Sequence, residues 1–438
     1  MAILPRFADH LPRFADHLPR FADQWLLSQI LRATGSAPVR LLVKGGADVC
    51  PPGGDPIATI AIQDRNTLAG LLRDPEVCFG DAYMDGRIEV EGDLVRLLEV
   101  VYEAMERSGA AAGWYSRAAS RWMDLWQNNS RSGSRNNIHR HYDLGNDFYK
   151  LWLDDQLLYT CAYFPSPSST LEHAQIAKMD HVCRKLRLQP GEKVVEAGCG
   201  WGALALHMAR EYGVSVKAYN VSREQIAFAR ARARAEGLSD RVEYIEDDYR
   251  SVTGKFDVFV SVGMLEHVGL DHFQEFSETI HRSIGDEGRG LLHFIGRNYP
   301  AVFSRWIRKH IFPGGFVPTL RQSLSVLEPK NYSILDVENL RAHYAKTLEH
   351  WLERFEESRQ QVTSMYDSRF ARAWRLYLAG SIAAFRGGHL QLFQVLFTGA
   401  KREPLFWTRH PLYAETAYAA AQPAAAGHEK VKWTHVMS

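Results

Sequence analysis

The sequence predicts an α/β protein: a doubly wound, mostly parallel sheet with aromatic helical insertions, preceded by a small N-terminal α+β domain. Three observations carry this. Five short apolar runs, "EKVVEAG", "VSVKAYN", "RVEYIEDD", "KFDVFVSV" and "GRGLLHFIG", follow one another after residue 190. Helical stretches at 201–211, 222–236 and 273–283 separate most of them, and such alternation means parallel strands with both faces covered. A second group, "VRLLVKG", "IATIAIQD" and "GRIEVEG", precedes a helix on which Leu94, Leu97, Leu98 and Val101 recur at helical spacing.

In chain order, the 438 residues suit two domains with additions. Residues 1–24 are a leader in which a seven-residue unit, "LPRFADH", runs three times with one final change. The heptad spacing invites a coiled coil, but Pro5, Pro12 and Pro19 break a continuous helix, so disorder is expected. Residues 25–128 form the small domain, ending on a predicted helix with Trp114, Trp122 and Trp126. Residues 129–138 are a linker, marked by the polar and Gly run "QNNSRSGSRNN" (127–137), which has no apolar anchor. The large domain covers 139–404: after Arg297 it is helical and aromatic to about residue 386, and "LQLFQVLFT" is a returning strand. Residues 405–438 are a tail, Ala-rich after Tyr418 and expected to be disordered.

Lys plus Arg number 52 against 51 Asp plus Glu, so no global field favours nucleic acid. The five cysteines are odd in number and irregularly spaced, which suggests neither a disulfide framework nor a metal site. A reducing cytoplasm is the expected location. No uncharged apolar run approaches the roughly 20 residues of a spanning helix, and the first residues lack a secretory core. Contact with a membrane is therefore expected from the side.

The chemistry begins at "EAGCGWGAL" (196–204), which follows a strand and opens a helix. Gly198, Gly200 and Gly202 permit a tight turn and close backbone approach, and the helix start offers free N–H groups. Glu196 stands where a carboxylate can meet a ligand's ammonium group. Asp248, in "EDDYR" after the third strand, stands where an acid can meet adenine. This arrangement resembles the S-adenosylmethionine methyltransferases, whose Rossmann-like sheet matches the one predicted. Glu196 replaces the usual Asp, and "YNVS" stands where an acid often binds the ribose.

A second constellation lies on the same sheet edge: Glu266 and His267 in "SVGMLEHVG", His293 in "LLHFIG", and Tyr344 at the start of "AHYAKTLEHWLERF". With "LLYTCAYF", "GCGWG", "WIRKHIFPGG" and "QLFQVLF", these motifs resemble the cyclopropane fatty acid synthases and their mycolic acid relatives, from about His139 to Phe397. "AYMDGRIEVEGDL" extends the likeness to the small domain of longer bacterial members. The resemblance implies that a cis-monounsaturated acyl chain of a phospholipid attacks the sulfonium methyl. A carbocation forms, and loss of a proton to bound bicarbonate closes a cyclopropane ring. It implies Cys161, Glu266, His293, the N–H of Ile295 and Tyr344 around the bicarbonate. It implies Tyr159, Thr160, Gly198, Gly200, Gly202, Asn220, Val221 and Gln225 around S-adenosylmethionine. A homodimer, peripheral on the anionic inner face of the membrane, is implied as well, with the small domain presenting lipid or holding the second subunit.

Alone, each of these residues has a plainer reading: Cys161 as a small buried hydrophobe, His293 as a core histidine, Tyr344 as a helix aromatic. Tyr142, Phe148, Tyr149 and Trp152 read equally as a chamber wall or as helix packing. The motifs do not separate cyclopropane formation from methyl transfer ending in a methylene- or methyl-branched chain, and the departures at Glu196, Ala203 and "YNVS" keep that second ending open. A lipid-binding protein without catalysis would lose loop or carboxylate residues, and none is missing. A small-molecule methyltransferase would favour a hydrophilic C-terminal cap, and this one is aromatic. "YPAVFSRWIRKHIFPGGFVP" (299–318) mixes Phe303, Trp306, Ile307 and Ile311 with Arg305, Arg308, Lys309 and His310, the composition of a helix lying in a membrane interface or covering the active site.

Overall fold

In the computed structural model, residues 20–51, 55–108, 144–402 and 407–410 are described. The leader before residue 20, the tryptophans at 114–126, the linker, Tyr142 and the tail from 411 lie outside them. Helix α1 (Arg20–Ala33) begins directly after Pro19, inside the segment read as leader. A proline breaks a helix behind it, not ahead of it, and Leu27, Ile30 and Leu31 of α1 are buried. Strands β1 (Val39–Val43), β2 (Asp48–Val49), β3 (Ala58–Ile62) and β4 (Ile88–Glu91) form a small sheet in the order β2-β1-β3-β4. Between β3 and β4 lie α2 (Arg65–Arg73), capped by Asp64, and α3 (Pro75–Met84), capped by Asp74 with Pro75 in its first turn. Helix α4 (Leu94–Ser108) buries Leu94, Leu97, Val100 and Ala104.

The large domain opens with a single turn, α5 (Asn146–Tyr149), and with α6 (Leu171–Leu186). Its sheet comprises β5 (Lys193–Ala197), β6 (Ser215–Asn220), β7 (Val242–Glu246), β8 (Val258–Val262), β9 (Arg289–Gly296), β10 (Ser333–Asn339) and β11 (Gln391–Thr398). The order is β10-β11-β9-β8-β5-β6-β7. β5 to β9 are mutually parallel, whereas β11 runs antiparallel to both neighbours. The predicted doubly wound, mostly parallel sheet is therefore present, with its returning strand. β10 is an addition, because its polar edge sequence "SILDVEN" carries no apolar run to signal a strand. α7 (Ala203–Tyr212), α8 (Arg223–Ala235), α9 (Leu265–Val268) and α10 (Phe273–Ile284) connect the parallel strands. The chain leaves β5 in one direction and β8 in the other, so the crevice outside their carboxyl ends is the ligand position of such sheets.

Beyond β9 come α11 (Arg305–His310), α12 (Leu320–Leu324), α13 (Arg341–Glu357), α14 (Arg359–Met365) and α15 (Ser368–Arg386). The small domain packs on this cap: α4 and α3 lie against α15, and α3 lies against α11. One apolar core runs from Leu27 and Leu97 through Trp152 and Trp374 to Leu392.

Candidate active site

The donor cleft forms at the switch between β5 and β8. Its walls include Tyr159 and Thr160, Glu196, Gly198 and Gly200, Asn220, Val221 and Gln225, and Asp248. Gly202 is not in the wall. It sits at φ +83, and a Cβ there would lie 2.5 Å from the Tyr244 hydroxyl, which donates to the Gly202 carbonyl. Glycine is therefore required for packing at the start of α7. Asn220 Nδ2 donates to Gln225 Oε1 (2.7 Å) and to the Gly200 carbonyl, tying strand, loop and helix together. Asp248 is engaged by Arg250 at 3.0 Å, so of the two acids after β7 it is Asp247 that has no ion pair here.

Glu196 is 2 % exposed, and its Oε2 has no hydrogen-bond partner. Burial pushes its carboxyl up to about 8, against the pull of Lys178. Lys178, which sequence reasoning missed, is equally buried in α6, donates to Thr160 Oγ1 at 2.7 Å and lines the same cleft. Its pKa is lowered, first by burial. Gln175, one turn earlier, donates to the carbonyls of Leu158 and Thr160. Asp154 accepts from the N–H groups of Gln156 and Leu158, holding Leu157 in a left-handed conformation at φ +56. A buried lysine in "AQIAK" reads in sequence as a solvated helix face, so nothing there signals its role.

The second group assembles beside the cleft. Gly263 N–H donates to the His293 carbonyl (2.8 Å), and a Cβ at Gly263 would lie 3.1 Å from Thr160 Cγ2. α9 then turns Glu266 inward, where its Oε1 accepts from Ile295 N–H at 2.5 Å while Oε2 has no partner. Burial pushes the Glu266 carboxyl up to about 7. His293 pairs through Nδ1 with Gln394 Nε2 at 3.0 Å, leaving Nε2 without a partner, and burial near Lys178 holds it neutral. His267 lines the donor cleft itself.

Cys161 is fully buried, and its thiol donates to the Ala162 carbonyl at 3.1 Å. Burial raises its pKa, so it is a neutral thiol rather than a nucleophile. It lies against the carbonyl of Leu340, the residue that caps α13, while Ala162 N–H donates to Thr347 on that helix. Tyr344 thus comes to the same region, packed on Trp351 and Phe385. The Ile295 N–H, read from the motif as an anion ligand, is taken by Glu266, because carboxylate and amide meet directly across the β8–β9 ends.

Two readings left open by the sequence can now be set against the structure. Phe148, Tyr149 and Trp152 are fully buried and pack edge-on with Trp374, Trp201 and Trp351, so they are core, and only residues 157–160 of the aromatic stretch reach the cleft. In the basic aromatic segment three basic residues of α11 face the small domain. α11 has six residues, Trp306 is buried, and Arg305, Lys309 and His310 pair with Asp74, Asp81 and Asp81 of the small domain. Among the described residues no helix is long and apolar enough to cross a membrane.

Sheet order, glycine loop and acid at the end of β5 define an S-adenosylmethionine-dependent methyltransferase. Residues 129–395 match the family described as Mycolic acid cyclopropane synthetase, and residues 27–109 match a domain of unknown function, DUF7884. The chain belongs to the mycolic acid cyclopropane synthetase family. It is 35 % identical over 350 residues to the cyclopropane-fatty-acyl-phospholipid synthase of Escherichia coli K12, covering 79 % of this chain and 89 % of that one. It is 35 % identical over 372 residues to a probable fatty acid methyltransferase of Pseudomonas putida, covering 82 % and 93 %. The solved cyclopropane synthase MmaA2 of Mycobacterium tuberculosis superposes with a TM-score of 0.58 at 29 % identity, over 60 % of this chain and 97 % of that one.

Proposed function

We propose that the protein adds one carbon from S-adenosylmethionine across the cis double bond of an unsaturated acyl chain in a phospholipid, closing a cyclopropane ring. The observation that carries this is a buried carboxyl and a buried imidazole beside the donor cleft, Glu266 and His293, each with one atom lacking a protein partner. When bound, S-adenosylmethionine supplies an electrophilic methyl group and bicarbonate supplies the base for one of its protons. An alkene needs no activating base, so the chain's task is to exclude water, hold charge near the developing cation and position that base.

Glu196 Oε2 and Gln225 Nε2, both unpartnered, suit the polar groups of the donor. A neutral His293 would present Nε2–H to an anion, and Glu266 could donate to it when protonated, with Tyr344 and Cys161 as the further groups the family pattern assigns. Tyr159, which lines the cleft, is backed by Trp351 and by the Tyr377 hydroxyl at 2.8 Å, an apolar support that keeps water from this side of the cleft. A second reading, transfer ending in a methylene or methyl branch, draws on relatives such as the tuberculostearic acid methyltransferase UfaA1 of Mycobacterium tuberculosis, 33 % identical over 387 residues.

Fatty acid analysis of phospholipids from a host lacking its own synthase, with and without this gene, decides between them. Chains one CH₂ heavier with upfield ring-methylene protons in NMR are the expected product. Vinylidene or branched-methyl signals at the same mass would establish the second reading, and no new chain would refute both.

A further inference from the structure

A polar cleft, separate from the donor cleft, opens where the first turn of α13, the turn between α15 and β11, and the segment after β9 meet. Arg341 and His389 face into it, with Asn298, Gln391 and the exposed Tyr299 around them. Arg341 is half-buried, yet no hydrogen bond or ion pair holds its guanidinium among the described residues. Elsewhere Arg250, Arg289, Arg354 and Arg386 each meet a carboxylate.

The guanidinium's place is nevertheless built. Gly388, held at φ +81 where glycine is favoured, brings its backbone close beside the Arg341 guanidinium. Asn339 Oδ1 accepts from the Arg341 N–H (3.0 Å), Asn339 Nδ2 donates to Gln391 Oε1 (2.8 Å), and Gln391 Nε2 donates to the Gly388 carbonyl (2.7 Å). His389 rests edge-on against Tyr102 of the small domain, at 5.2 Å. The one carboxylate in the lining, Glu106, is exposed and screened by solvent.

A half-buried cation without a counter-charge is costly unless a ligand supplies one, and a guanidinium fork suits phosphate oxygens. The cleft is built on elements that also carry the reacting groups. Gln391 pairs in register with Gly296, the residue after Ile295, and Tyr344 follows Arg341 by one helical turn.

We propose that this cleft is the phosphate subsite of the lipid substrate. Arg341 and His389 hold the phosphodiester of the same phospholipid whose acyl chain reaches Glu266 and Tyr344. The subsite rests on the function proposed above and extends it to headgroup recognition.

The test uses the full chain with Arg341→Gln and Arg341→Lys. Two substrates with identical unsaturated chains are compared in neutral-detergent micelles: phosphatidylglycerol, and a diacylglycerol that has no phosphate. Arg341→Gln is expected to lower kcat/KM on phosphatidylglycerol about tenfold or more, mainly through KM, given the usual strength of a charge-assisted hydrogen bond. Turnover of diacylglycerol and affinity for S-adenosylmethionine should stay unchanged, and Arg341→Lys should recover part of the loss.

Equal losses on both lipids would make Arg341 merely structural and overturn the subsite. Unchanged phosphatidylglycerol turnover in Arg341→Gln, with wild type binding inorganic phosphate by calorimetry, would assign the cleft to a free anion and overturn it too. Absence of wild-type turnover on every unsaturated lipid would overturn the parent reading and the subsite with it.

Discussion

Burial pushes the Glu266 carboxyl up to about 7 even though the Ile295 N–H favours its ionised form. A group with a raised folded pKa contributes stability that is present below its unfolded pKa and lost as pH rises through the folded value. From 4.5 to about 7 that is about 3 kcal/mol. Urea unfolding at pH 5 and pH 7.5 should therefore show wild type losing about 2 kcal/mol more than Glu266→Gln across the interval, since part of the effect lies outside it. The same variant should bind S-adenosylmethionine normally while turnover falls about 100-fold or more. Equal loss of binding and turnover would remove its assigned role. Glu196 offers a second residue-scale prediction. With its carboxyl at about 8, binding of a cationic donor at pH 7 should ionise it and release about one proton. Calorimetry in buffers of different ionisation enthalpy reads this directly, and zero release would place the donor's charge elsewhere.

At the scale of elements, α11 shows how one composition serves two settings. Arg305, Lys309 and His310 have the look of membrane-facing cations, but three acids at the start and middle of α3 meet them instead. Trp306 lies over Gly80 so closely that a Cβ there would be 2.2 Å from its indole. Gly80→Ala should therefore force the two helices apart and cost about 1–3 kcal/mol in chemical denaturation. An unchanged midpoint would mean that the helix pair is not rigidly docked. α6 makes the complementary point. Lys178 and Lys185, seven residues apart, are both fully buried, one serving Thr160 and the other pairing with Glu338 at 2.5 Å.

For the whole molecule, the small domain and the helical cap share side chains as well as surface. Arg375 donates to the Tyr83 hydroxyl at 2.8 Å, Arg372 lies over the Tyr83 ring, and Arg386 bridges Glu99 and Glu349. Removing residues 1–108 would strip this face of α15 and uncover its part of the common core. Thermal unfolding of such a truncation should fall by about 5 °C or more, and the intact chain should unfold with coincident fluorescence and circular dichroism transitions. A truncation as stable as the full chain would show two independent domains.

The amino-acid sequence alone determined the doubly wound sheet, the glycine loop and the acids Glu196 and Glu266. Apolar runs, glycine turns and motif order are local features, written where they act. Asn220, Gln225, His293 and Tyr344 came instead from the family resemblance, whose motifs mark positions that local pattern alone leaves as ordinary strand and helix residues. Only the tertiary structure decided which rings of 141–164 are core, that β10 is a strand, that α11 faces protein, and that Lys178 lies in the donor cleft. Those outcomes depend on which partner covers a face or a charge, and pairings such as Lys178 with Thr160 or Arg305 with Asp74 form only when distant segments meet.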